Sequence, residues 1–279
     1  MHPRVWNATV RLSDIAQIYE NPGDWLYFAP VRWLLHWIYM IYALVLFGVT
    51  LILVFLLALP ASLLGEIKGG NAIYRICRAW ADVWFFGVGI RHENIYRYRP
   101  DKNIPCIYVA NHSSFLDAAS IPKAVRFPVR ALGKIELTKA PLFGFVYRKT
   151  IVVVDRSDPE HRAESVRKLI AQLHKGISIF IFPEGTFNKT GDLLGPFYDG
   201  AFRMAIETGC PVQPLLFLDT KTRLPRTSIF LLNPGRSRAV FLEPVPVEGL
   251  TLEDVHTLKG RVRAKMEEGL KDYGPLSFG

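Results

Sequence analysis

The stretch from Leu34 to Gly65 runs 32 residues without a single Lys, Arg, Asp or Glu, and it constrains this chain more than any other feature. As one helix it would be about 48 Å long, against a hydrocarbon core of roughly 30 Å. A segment of that length must tilt, break or continue along the membrane interface. Gly48 and Pro60 are the expected break points. About thirty residues precede it and it far exceeds an h-region, so it is not read as a signal peptide.

Basic residues flank the segment on both sides, with Arg4, Arg11 and Arg32 before it and Lys68, Arg75 and Arg78 after. Positive charge on both flanks gives no asymmetry for a single span, and a hairpin or half-inserted segment with both ends on one side fits better. In the next helical stretch Arg75, Arg78 and Asp82 form a narrow charged stripe, while Ile73, Ile76, Trp80, Trp84 and Phe85 occupy much of the remaining circumference. That pattern suits either the headgroup boundary or a buried core helix. Half of all residues are hydrophobic and the net charge is +9. An acidic partner is implied: nucleic acid, an anionic bilayer or a phosphorylated substrate. Cys77, Cys106 and Cys210 are scattered, which argues against a disulfide framework or a zinc site and for a reducing compartment.

From Ile104 onward short β-branched or aromatic runs alternate with helical patterns. Strands are expected at Ile107 to Ala110, Val129 to Leu132, Thr150 to Val154, Ile177 to Phe182, Val212 to Phe217, Ser228 to Leu232 and Ala239 to Leu242. Between the third and fourth, Val166, Leu169, Ile170 and Leu173 keep helical spacing, with Pro159 early and Gly176 at the stop. A last amphipathic helix is expected from about Leu252 to Tyr273. Strands separated by helices predict an α/β fold: a mainly parallel central sheet with flanking helices, preceded by an N-terminal membrane-embedded helical region. The division falls at 1–95 for the membrane-associated region and 96–279 for the α/β domain.

Two of these strands end abruptly in polar residues. The first stops at Asn111-His112, with Asp117 beyond an intervening four residues. A carboxylate at that spacing can reach one imidazole nitrogen, fix the tautomer and leave the other nitrogen free to take a proton. Read alone, Ser113, Ser114 and Asp117 serve equally well as helix caps. The second strand stops at Pro183-Glu184-Gly185-Thr186. Here a stiff proline and a permissive glycine flank groups able to bond a polyol, although an ordinary turn has the same composition. Two such exits together predict one shared site at the carboxyl edge of a sheet.

The four blocks NHSSFLD (111–117), VVVDR (152–156), FPEGT (182–186) and CPVQPL (210–215) resemble, in order and spacing, those of the glycerolipid acyltransferases, most of all the bacterial 1-acylglycerol-3-phosphate acyltransferases. The resemblance covers roughly Ile104 to Glu243, and the apolar N-terminal region is similar to that family's membrane-embedded helical motif. It implies an enzyme that transfers a fatty acyl group from acyl-CoA or acyl carrier protein to the free sn-2 hydroxyl of lysophosphatidic acid, making phosphatidic acid. His112 would be the general base and Asp117 would orient it. Arg156, Glu184, Gly185 and Thr186 would bind the glycerol phosphate, and Lys134 matches a position where a lysine faces the site. Val212 and Pro214 match the last block, associated with acyl-donor binding and packing. Direct transfer needs no serine acyl-enzyme, so Ser113 and Ser114 are not read as nucleophiles.

No metal and no cofactor beyond the thioester substrate is implied. Expected partners are membrane lipids, a lysophospholipid acceptor and the acyl-CoA or carrier protein, at a bacterial inner membrane with the catalytic domain on the cytoplasmic face. Between Ser120 and Ile170 eleven Lys or Arg stand against five acids, a net of +6, where a phosphorylated substrate, an acidic donor and anionic headgroups would all approach. No nucleic-acid motif accompanies the charge. Three alternatives remain: another lyso-lipid or lyso-aminolipid acceptor, a hydrolase in which water replaces the alcohol, and a metal site built from His112, Asp117 and Glu184. A non-catalytic lipid binder would leave His112 and Glu184 unexplained.

Overall fold

The structure, a computed structural model, describes residues 25–155 and 157–273. Arg4, Arg11, Arg156 and the side chain of Arg32 lie outside that description. The uncharged stretch up to Ser62 belongs to one continuous helix, α1 (Trp25–Ser62). Gly48 does not interrupt it, and the helix ends only two residues past Pro60, where Leu63 and Leu64 donate backbone bonds to Pro60 and Ala61. The missing proline N–H is tolerated in a last turn that is already unravelling. A second helix, α2 (Glu66–Gly87), returns along α1 and buries Ile73, Tyr74, Trp84 and Phe85. Those side chains therefore lie inside the protein, while Val83 and Phe86 stay exposed.

The remaining elements are β1 (Ile90–Tyr96), β2 (Ile107–Ala110), α3 (Leu116–Ala124), β3 (Arg130–Lys134), α4 (Phe143–Thr150), β4 (Ile151–Val154), α5 (Pro159–His174), β5 (Ile179–Ile181), α6 (Gly200–Thr208), β6 (Val212–Phe217), α7 (Thr220–Arg223), β7 (Gly235–Phe241) and α8 (Val255–Asp272). The seven strands form one sheet in the order β1-β7-β6-β2-β5-β3-β4. All pairings are parallel except β6 with β7, so five strands point their carboxyl ends to one edge and the β1–β7 pair points the other way. The α/β architecture with a mainly parallel sheet is as the sequence leads one to expect. β2 and β5 sit in the middle and are buried along their whole length, as both-faces-covered strands must be.

The helix signals behave locally. Asp158 caps α5 by accepting from the backbone N–H groups of Glu160 and His161, with Pro159 in the first turn. Gly176, at φ +76°, takes the left-handed conformation that follows the helix end.

One expected strand is missing and one strand is unexpected. Ser228 to Leu232 is not a strand: it forms turns beside α1, with Ile229, Phe230 and Leu231 exposed. The Phe230 ring lies 6.2 Å from that of Trp37, and its carbonyl is 3.0 Å from His36 Nε2. Its apolar residues pack toward the helix rather than the sheet, which alternation in sequence does not distinguish. Conversely β1 gave no separate strand signal, because it follows the apolar helix α2 after a short break at Gly89, φ +70°.

α1 also touches the α/β domain at its far end, where Phe55 meets Phe145 of α4 with ring centroids 5.4 Å apart. Trp37 and Phe55 are about 27 Å apart along a helix, so α1 lies along the domain over that distance. Its outer face carries Leu34, Ile38, Ile41, Val45, Val49, Ile52 and Leu56, all largely exposed. The segment Trp33–Ser62 is long and apolar enough to cross a membrane.

Candidate active site

The site follows from the pairing of β2 with β5. Val109 lies opposite Ile181, and three residues further along each strand come His112 and Glu184. Asn111 locks the first exit to the neighbouring strand: its amide donates to the Phe217 carbonyl and its side-chain oxygen accepts from the Phe217 N–H, at 2.9 and 2.8 Å. His112 is thereby held at the carboxyl edge of the five parallel strands, where open sheets of this kind bind ligands.

Asp117 lies in the first turn of α3 and is fully buried. One oxygen, Oδ2, is 2.9 Å from His112 Nδ1 and also accepts from the backbone N–H groups of Ser113 and Ser114 at 2.7 and 2.9 Å. From sequence alone capping and the imidazole contact are alternatives; Asp117 makes the imidazole contact and accepts from two N–H groups that precede α3, whose N-cap, Phe115, has no side-chain cap bond. With Nδ1–H donating to Asp117, Nε2 carries the free lone pair, and it has no protein partner among the described residues. The Ser114 hydroxyl donates to the Leu224 carbonyl and is buried, which removes it from any nucleophilic role.

Glu184 is buried too, but its geometry differs. Oε1 accepts from the backbone N–H of His112 at 2.8 Å, and Oε2 accepts from that of Gly195 at 2.7 Å. Burial pushes its pKa above the usual carboxylate range, against the two backbone donors that favour the ionised form. Both oxygens are committed to main chain, so Glu184 joins two loops and does not share a ligand point with His112 and Asp117. Among the described residues no group of three His, Cys, Asp or Glu is arranged to hold a metal ion.

The turn that carries Glu184 is closed by Gly185 N–H donating to the Phe182 carbonyl at 3.0 Å, with Pro183 at the position where its fixed φ suits a turn. Gly185 itself has φ +70°, which disfavours any side chain there. Thr186 is exposed beside it. Lys134 ends β3 at the same sheet edge, and its ammonium lies 2.8 Å from Glu136 on the surface. Of the sequence-derived residues, His112, Asp117, Glu184, Gly185 and Thr186 are brought together; Lys134 is engaged elsewhere, and Arg156 falls outside the described residues.

Two features escaped the sequence. Phe182 and Phe187 both lie against the His112 ring, at centroid distances of 4.0 and 4.4 Å. They stand within the motif, but nothing in their spacing marks them as imidazole neighbours. The second is an apolar cavity of about 390 Å³, within the usual range of ligand sites. Met40 and Phe47 of α1, Trp80 of α2, Phe115, Ile121 of α3 and Val146 of α4 line it. Phe115, three positions after His112 in the chain, is one of its lining residues.

Residues 89–218 match a family model described as Acyltransferase. The chain is 31% identical over 206 residues to the chloroplastic 1-acyl-sn-glycerol-3-phosphate acyltransferase BAT2 of Brassica napus, an alignment covering 71% of this chain and 57% of that protein. It is 32% identical over 168 residues to the 1-acyl-sn-glycerol-3-phosphate acyltransferase of Salmonella typhimurium, covering 60% of this chain and 67% of that one. The chain therefore spans little more than half the length of the plant relative. Its fold is similar to the crystal structure of the 1-acyl-sn-glycerophosphate acyltransferase from Thermotoga maritima, with a TM-score of 0.64 and 24% identity over 88% of this chain and 97% of that one.

Proposed function

This chain belongs to the acyltransferase family that includes 1-acyl-sn-glycerol-3-phosphate acyltransferases, and we propose that it acylates the sn-2 hydroxyl of lysophosphatidic acid with a fatty acyl thioester. The observation that carries the reading is the His112–Asp117 pair at a strand exit, with Nε2 unengaged and with Phe115, three positions further along the chain, lining an apolar cavity. His112 takes the hydroxyl proton while the alkoxide oxygen attacks the thioester carbonyl. Asp117 holds the ring and stabilises the imidazolium. On collapse the C–S bond breaks and the proton passes to the departing thiolate. The thioester supplies the activation, so no cofactor enters; acyl-CoA and acyl carrier protein both meet this requirement.

The cavity under α1 and α2 suits an acyl chain, being apolar and lined in part by the helix that carries the exposed aliphatic stripe. That stripe, together with Ile229, Phe230 and Leu231, would face lipid. Because α1 runs along the α/β domain, the arrangement favours embedding in one leaflet over a perpendicular span. We assign the protein to the cytoplasmic face of a bacterial inner membrane, where a soluble thioester donor meets a membrane-held acceptor. Thr186, Lys134 and Arg156 are the proposed acceptor-binding groups, Lys134 exchanging Glu136 for phosphate.

The test is acyl transfer by the detergent-solubilised full chain from oleoyl-CoA to lysophosphatidic acid, following thiol and lipid product together. Wild type should form phosphatidic acid, and His112→Ala, still folded, should lose on the order of a hundredfold or more in rate. Thiol release without a lipid product from any lyso-lipid acceptor would instead identify a thioesterase.

A further inference from the structure

A base that can deprotonate an alcohol can equally deprotonate water, which is far more abundant. In transfer, the alcohol oxygen bonds to the acyl carbon, the C–S bond breaks and the thiol departs with the proton. In hydrolysis, water takes the alcohol's place and the products are a fatty acid and the same thiol. Nothing in the His112–Asp117 pair discriminates between the two, so the discrimination must come from what surrounds the imidazole.

Two rings surround it. Phe182 stacks on His112 with planes 13° apart, and Phe187 lies against it at 53°. The two phenylalanines make no ring contact with each other, so they cover the imidazole from different sides. Phe182 packs against a buried cluster beneath the sheet and also meets Phe180 and Phe217. Phe187 belongs to none of the core clusters. Its other ring contact is Phe115, edge-on at 4.9 Å, and Phe115 lines the apolar cavity. The loop is pinned at the next residue, where Asn188 N–H donates to the His112 carbonyl at 2.7 Å. A half-buried phenylalanine outside the core, held by the backbone of the residue it covers, contributes little to packing and much to what can reach Nε2.

We propose that Phe187 is a specificity-determining residue that keeps water from the His112 imidazole, with Phe115 marking the side from which the acyl-bearing substrate enters. The proposal rests on the acyl-transfer reading above. His112 then sees a hydroxyl delivered from the lipid side and is shielded from the aqueous side. The requirement is apolar bulk rather than aromaticity, so leucine should substitute.

The experiment compares wild type, Phe187→Ala and Phe187→Leu, all as full chains, with oleoyl-CoA and lysophosphatidic acid. Total thiol released is divided into lipid product and free oleate. Phe187→Ala should raise the ratio of oleate to phosphatidic acid on the order of tenfold, and Phe187→Leu should restore it most of the way. A structural role alone would lower both products together and leave the ratio unchanged, and that outcome overturns the proposal. A second measurement does not depend on turnover: the rate at which diethyl pyrocarbonate modifies His112, read by peptide mass spectrometry. It should rise several-fold in Phe187→Ala and stay near wild type in Phe187→Leu. If wild type transfers no acyl group yet His112 becomes reactive in Phe187→Ala, the shielding stands and the acyl-transfer reading falls. An unchanged modification rate removes the shielding whatever the reaction.

Discussion

Asp117 and Glu184 are both buried carboxylates, at 0% and 3% exposure, and both bond to residue 112. Asp117 grips the imidazole from the first turn of α3, five positions along the chain, while Glu184 grips the His112 peptide N–H from the exit of the neighbouring strand. One touches the imidazole itself and the other fixes the backbone that carries it. Similar residues at the same sheet edge are thus divided by which atom they touch, and the division gives different consequences for their loss.

The largest effect should follow Asp117→Asn. The amide keeps the shape but no longer stabilises imidazolium, and kcat should fall on the order of a hundredfold or more while the fold persists by circular dichroism. A loss under about threefold would dissolve the comparison.

Glu184→Gln should act mainly on stability. One backbone N–H loses its acceptor, at a cost of about 1–3 kcal/mol in denaturant unfolding. Activity at saturating substrate should drop less than in Asp117→Asn. The pH dependence sharpens this further. Burial raises the Glu184 pKa in the folded state, so on raising pH the unfolded chain releases its proton first. The stability advantage of wild type over the glutamine variant is therefore complete below the unfolded value of about 4.3. It declines as pH rises through the elevated folded value, beyond which it is constant. A wild-type advantage that grew with pH across that window would contradict the assignment.

The smallest effect belongs to Lys134→Ala. Its ion pair with Glu136 is more than half exposed and solvent screening leaves it little to contribute, so melting should not move. If Lys134 binds acceptor phosphate, KM for lysophosphatidic acid rises by roughly 2- to 5-fold, the scale of one exposed charge contact, at unchanged kcat. An unchanged KM would confine Lys134 to the surface.

How much of this was legible in the sequence follows from distance along the chain. The His112–Asp117 contact, the start of α5 at Pro159 and its stop at Gly176 each involve residues close together in the chain, where spacing alone restricts geometry. The apolar length of α1 was equally plain, since composition decides what such a helix must avoid. The ends of α1 were less so: Pro60 was expected to break the helix and only precedes its end. The segment from Ser228 to Leu232 misled because exposed apolar residues beside a helix read the same as a half-buried strand.

By itself, then, the sequence determined the α/β alternation, the two polar strand exits and a spacing that lets Asp117 reach His112, all consequences of local periodicity and short loops. Tertiary structure alone decided that Glu184 faces main chain, that Phe187 lies against the imidazole and that α1, α2 and α4 line one apolar cavity. Glu184 and His112 are 72 residues apart, and what joins them is the register of β2 on β5. That register comes from the burial of both strands in the middle of the sheet, a property of the assembled core that no window of sequence contains.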